Sequence, residues 1–119
     1  MNEGDLKRCI DDLLQIEQNR GNLIYLRLNS GNFLVGAGET CRRVKGCPAG
    51  TSDFEIVKKR RERYRGCEVI FLELKSSKGK QSPEQVSFQK LVEEQGARYE
   101  VVRSVEEIIA ILGIQLQDN

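Results

Sequence analysis

Val69-Ile70-Phe71-Leu72-Glu73-Leu74-Lys75 is the stretch on which the fold turns. Between Val69 and Leu74 only Glu73 is polar, and so apolar and β-branched a run predicts a buried central strand. Successive side chains on a strand alternate faces, so Ile70, Leu72 and Leu74 share one face while Phe71, Glu73 and Lys75 share the other. A carboxylate and an ammonium therefore stand side by side where a greasy strand leaves the core. A buried charge is costly unless it is paired or bound to a metal, which marks Glu73 and Lys75 as the first place to look for chemistry.

Outward from this strand, residues 53–57 predict a second strand, and residues 58–66 a strongly basic connection between the two. A hairpin centred on Arg63 sets Val57 opposite Val69 and Asp53 opposite Glu73. Two opposed carboxylates repel, and a divalent cation between them removes the penalty. Asp53, Glu73 and Lys75 then form an all-oxygen site with one cation beside it, suited to a hard ion such as magnesium. The backbone carbonyl of Leu74 lies between the two side chains as a further candidate ligand.

Elsewhere the pattern alternates helix and strand. Residues 5–18 carry Leu6, Cys9, Ile10, Leu13 and Leu14 at helical spacing. Short strands are predicted at 23–28 and 33–35, and residues 42–45 fit either an extended piece or a basic loop. Gly46 to Ser52 is a loop rich in turn formers. Ser82-Pro83-Glu84-Gln85 reads as N-cap, proline at N1 and glutamine at N3, opening a helix with Val86, Phe88, Leu91 and Val92 that stops before Gly96. A strand at 99–102 follows, then a second capping-box pattern at Ser104 and a helix that ends at Gly113; residues 115–119 predict a frayed tail. The expected architecture is one α/β domain over residues 1–119, of order α-β-β-β-β-α-β-α, with a mixed sheet flanked by helices.

Composition narrows the chemistry. At 119 residues, 39% apolar and 31% charged, the chain is that of a single globular domain. It holds no histidine, which excludes Ser-His-Asp and Cys-His catalysis and leaves carboxylates, lysine or a metal-bound water for acid–base work. Cys41 and Cys47 flank a turn, but no histidine or second close pair joins them to make a zinc site. Four cysteines without a C-x-x-C pair, an acidic N-terminus and no membrane-length apolar segment predict a cytoplasmic protein with reduced thiols. The net charge is +1, yet residues 42–65 hold nine basic side chains against three acidic ones, a middle suited to a polyanion.

A D-(x)n-E-x-K arrangement on a hairpin resembles the PD-(D/E)xK nuclease superfamily. More narrowly, Gly50-Thr51-Ser52-Asp53, Phe71-Leu72-Glu73-Leu74-Lys75, Gly79-Lys80-Gln81-Ser82-Pro83-Glu84-Gln85 and Val101-Val102-Arg103-Ser104 are similar to motifs of the VRR-NUC (virus-type replication-repair nuclease) family. The similarity runs from about residue 3 to residue 112. It implies a restriction-endonuclease-like core and a homodimeric, magnesium-dependent, structure-specific DNA endonuclease of the Holliday-junction-resolving type, with manganese able to substitute. A bacterial or phage context and a role in DNA repair or recombination go with it. By this resemblance Asp53 and Glu73 are metal ligands, Lys75 is the catalytic lysine, and Gln85 is the motif glutamine. Glu3 matches the acid that the family carries in its first helix, with Asp5 and Asp12 as alternatives. Ser52 stands where the superfamily motif has proline. Gln85 has an equal reading as the N3 partner of Ser82, and Glu3 one as a helix-dipole residue.

Arg42, Arg43, Lys45, Ser76, Lys78 and Lys80 lie in segments next to the site in sequence and are the candidate DNA contacts. Two rival readings stay open: a sequence-specific homing or restriction-type endonuclease, and a catalytically silent DNA-binding module with the same fold.

Overall fold

The structure, a computed structural model, describes residues 1–29, 32–60 and 66–114. Its centre is a four-stranded mixed sheet of order β1-β4-β5-β6, made of β1 (Ile24–Arg27), β4 (Phe54–Lys59), β5 (Cys67–Leu74) and β6 (Arg98–Val102). A separate two-stranded ribbon joins β2 (Asn32–Val35) to β3 (Arg42–Lys45) through a short 3-10 turn. The helices are α1 (Glu3–Asn19), α2 (Pro83–Glu94) and α3 (Val105–Leu112). No described helix is long and apolar enough to cross a membrane.

β5 is the buried strand that its sequence predicts: Ile70, Leu72 and Leu74 are all fully buried. Their face packs with Phe54 and Ile56 of β4, Leu6, Ile10 and Leu14 of α1, and Ile108 and Leu112 of α3. The α1 residues recur at four-residue intervals, one stripe of a helix whose N-cap Asn2 accepts from Asp5 N at 2.8 Å. β5 runs antiparallel to β4 and parallel to β6, and α2 is the crossover that parallel pairing requires.

The opposite face is covered only in part. Phe88 of α2 meets Phe71 edge-on at 5.3 Å and lies 6.2 Å from Tyr99, while Val86 and Leu91 remain exposed, so the helix buries much less of its apolar set than its sequence suggests. On β1, Ile24 and Leu26 point to this same side and are also exposed. One small helix is too narrow to span four strands.

Three further corrections concern the strands. The segment 42–45 is a strand, so five strands precede α2 where four are expected. Its partner is β2 and not the main sheet, which makes the ribbon an excursion between β1 and β4. β4 extends to Lys59, so part of the basic connection is sheet; the expected turn at Arg63 and the tail at 115–119 lie outside the described residues. The β4–β5 register pairs Val57 with Val69, as the sequence arithmetic predicts, but the ladder ends at Phe54 and Leu72. Asp53 does not sit opposite Glu73: its N–H donates to Leu72 O at 2.9 Å while its carboxylate takes the N–H of Leu74, a side-chain bond that displaces the next rung.

The capping box of α2 forms in full. That of α3 forms by half: Ser104 accepts from Glu107 N, but Glu107 Oε2 accepts from Arg103 N instead of the cap residue's own amide.

Leu72→Ala leaves a cavity at the centre of the sheet and is expected to lower stability by about 2–5 kcal/mol. Leu34→Ala, on a side chain 71% exposed, is expected to change it by less than about 0.5 kcal/mol. Urea denaturation of both variants checks the pair, and similar losses would contradict this placement of the core.

Candidate metal and active site

Three carboxylates from distant parts of the chain meet where β4 begins and β5 ends. Glu3, Asp53 and Glu73 each bring one oxygen to within 4.8 Å of the others. α1 delivers Glu3 from its first turn, on the face away from α2. The first turn of α2 brings Gln85 from the other face. Two helix N-termini, each with the partial positive charge of its free N–H groups, thus flank the cluster.

Asp53 and Glu73 each divide their two oxygens. Asp53 Oδ2 accepts from the backbone N–H of Leu74 at 2.8 Å, and Oδ1 lies 3.4 Å from Lys7 Nζ. Glu73 Oε1 accepts from Gln85 Nε2 at 2.9 Å and lies 3.7 Å from Lys75 Nζ. Glu73 Oε2 is buried and meets no donor, the one such side-chain atom among the described residues. Gln85 satisfies both of its readings at once, since its Oε1 accepts from Ser82 N at 2.8 Å while its amide nitrogen serves Glu73. The N–H and C=O of a strand residue point to one side, so the carbonyl of Leu74 leaves β5 on the Asp53 side.

Of the helix-one acids, Glu3 is the one in the cluster. Asp5 is held by Arg8, and Asp12 is an exposed residue more than two turns further along. Ser52, in place of the motif proline, is fully buried with its hydroxyl donating to Phe54 O at 3.3 Å. The four cysteines are free.

The loop before Asp53 is pressed onto α2. Gly50 has φ +92°, and a Cβ there would stand 2.4 Å from Glu84 O, so only glycine lets the two backbones approach. The loop after Lys75 is fixed by a residue whose role the sequence left blank. Arg103 donates through one nitrogen to Ser76 O and Gly79 O, both at 2.7 Å. Its place in the Val101–Ser104 motif was the available signal. A second unforeseen residue is Lys7, one turn after Glu3, with Nζ 3.4 Å from Asp53 Oδ1. Only the four-residue spacing from Glu3 hinted at it.

The candidate DNA contacts fall into two groups. Arg42, Arg43 and Lys45 are exposed on the β2–β3 ribbon, whose root is tied by Cys47 N to Asn29 O and by Leu28 N to Asp53 O. Lys78 and Lys80 are exposed on the loop after Lys75, and the half-buried Ser76 offers its carbonyl to Arg103. Both groups emerge at the carboxylate end of the sheet.

Burial, and then the negative charge of Asp53, push the Glu73 carboxyl up to about 8, with Lys75 pulling the other way. A carboxyl raised in the folded state holds a proton that the unfolded chain has already released. Stability therefore falls as pH rises from about 4.5 to about 8. Glu73→Gln keeps the shape and the bond to Gln85 without the charge. In EDTA it is expected to melt above wild type at pH 8, with the gap closing toward pH 4.5; thermal unfolding against pH measures this, and a gap constant across that range would contradict it.

No curated protein and no solved structure matches the chain. The description of the VRR-NUC domain does, over residues 2–106 of the 119. Such a domain carries a nuclease-type, DNA-processing function. The match spans α1, the whole main sheet and every residue of the cluster, and the chain belongs to the VRR-NUC family.

Proposed function

We propose that the chain is a magnesium-dependent, structure-specific DNA endonuclease of the Holliday-junction-resolving type, built on a PD-(D/E)xK core and working as a homodimer. The observation that carries this reading is the meeting of Glu3, Asp53 and Glu73 beside Lys75, with an unpartnered buried carboxylate oxygen among them. A donor set of carboxylate oxygens, with the Leu74 carbonyl on the same side, fits a hard divalent ion, magnesium or manganese. Bound there, such an ion supplies Lewis acidity to the phosphodiester.

The chain's own residues do the rest. Leu74 N–H and Gln85 hold Asp53 and Glu73 in fixed orientations, so the ligand oxygens are placed before substrate arrives. Lys75, its side chain 13% exposed, keeps its ammonium within reach of the reacting phosphate and neutralises charge that develops there. Arg42, Arg43, Lys45, Lys78 and Lys80, with Ser76 in the same loop, take backbone phosphates on either side of the cut. Such contacts give affinity without reading sequence. The exposed Ile24 and Leu26 on the sheet face that carries α2, with the exposed Val86 and Leu91 of that helix, support self-association through the uncovered face.

Incubation with a four-way junction, a linear duplex and a flap, in magnesium or in EDTA, tests the reading. Cleavage is expected only with metal and fastest on the junction. Glu73→Ala and Lys75→Ala are each expected to lower the rate about 100-fold or more. Undiminished cutting by Glu73→Ala would sink the site assignment, tight binding without cutting would favour a silent binding module, and a sequence-dependent duplex cut would favour the restriction-type reading. Arg43→Ala is expected to weaken DNA binding across all three substrates and to reduce the salt slope by about one unit. A monomer on sizing would argue against symmetric junction cleavage.

A further inference from the structure

Lys7 and Lys75 both approach the carboxylate cluster, but their settings differ. Lys75 follows directly on the central strand, with a side chain 13% exposed and its backbone N–H bonded to Val102 O. Lys7 projects from α1 with a side chain 36% exposed, and its ammonium lies on Asp53 Oδ1. Asp53 has little else to offer. Its Oδ2 is committed to Leu74 N–H, so Oδ1, the oxygen without a backbone partner, is the one that Lys7 contacts.

We propose that Lys7 is a built-in counter-ion that competes with the divalent cation for Asp53 Oδ1 and so sets the metal affinity of the site. The inference rests on the metal-site reading above. Asp53, Glu73 and Glu3 would hold a divalent ion within Coulomb range of the Lys7 ammonium, and the two like charges would draw on the same Asp53 carboxylate. Lys75 cannot yield, because its stem is enclosed. Lys7 can, because its flexible side chain starts from a helix surface open to water. With an ion held by these carboxylates, Lys7 would leave Asp53 Oδ1 for the open side of α1. Lys7 is a positioning residue in this scheme, acting through Asp53 and the ion.

Isothermal titration with Mn2+ alone, without DNA, reads the competition directly. Lys7→Met is expected to bind Mn2+ about tenfold more tightly than wild type, the scale of one close like charge removed. Lys7→Gln is expected to move the same way, and thermal melts identify either variant that fails to fold. Arg8→Met removes the same charge from the next residue of α1, where the guanidinium is engaged by Asp5 and not by the cluster, and is expected to stay near wild type. Unchanged or weaker binding in both Lys7 variants overturns the proposal, as does equal tightening in Arg8→Met, which would make the effect one of net charge. Wild type and Glu73→Gln separate this failure from failure of the site itself. If wild type binds no Mn2+, or Glu73→Gln binds it as well as wild type, the metal-site reading falls and takes the Lys7 inference with it. If wild type binds and Glu73→Gln does not, the Lys7 variants alone decide.

Discussion

Glu73 places a carboxylate, 3% exposed, at the dry end of the central strand, and much of the surrounding structure follows from making that tolerable. A lone buried charge disfavours the fold by several kcal/mol, so the group must be protonated, paired or ligated. Gln85 and Lys75 reach one of its oxygens. To bring Gln85 there, α2 must begin at a fixed height above the sheet. The capping box sets that start, and the Gly50 contact clamps the preceding loop to it. That loop in turn delivers Asp53. The strand, the helix and the loop are parts of one arrangement around one oxygen pair.

The strand and its chemistry were legible because burial and polarity conflict within seven residues, Val69 to Lys75. The hairpin register followed from assuming a connection centred on Arg63, which pairs Val57 with Val69 and keeps the apolar positions of both strands in phase. What escaped the sequence has a common cause. Asp53 leaves the ladder because its side chain finds the Leu74 amide, and no alternation pattern encodes a carboxylate that bonds a neighbouring strand's backbone. Lys7 and Arg103 act across long sequence separations, 46 residues to Asp53 for the first, on partners that only the folded sheet defines. Composition treats both as ordinary surface cations.

Residues 42–45 were ambiguous for another reason. Arg42-Arg43-Val44-Lys45 has no apolar alternation to mark a core face. Backbone pairing with residues 32–35 makes it a strand, and pairing leaves no trace in composition. The helix at 83–94 errs in the opposite direction. Its apolar residues predict a buried stripe, yet Val86 and Leu91 face outward, since periodicity reports that a face is greasy without saying what covers it.

The ribbon's root has a different implication. Leu28 and Asn29 on one side and Asp53 and Cys47 on the other close it with two backbone bonds, so the chain enters and leaves the sheet at neighbouring points. Whatever lies beyond that closure contributes little strain to β1 or β4, and the entropy of a longer excursion grows only as the logarithm of its length. The segment between residues 29 and 47 is thus an appendage on a socket closed by its own backbone bonds. Its length and charge can change while the carboxylates beneath it keep their positions.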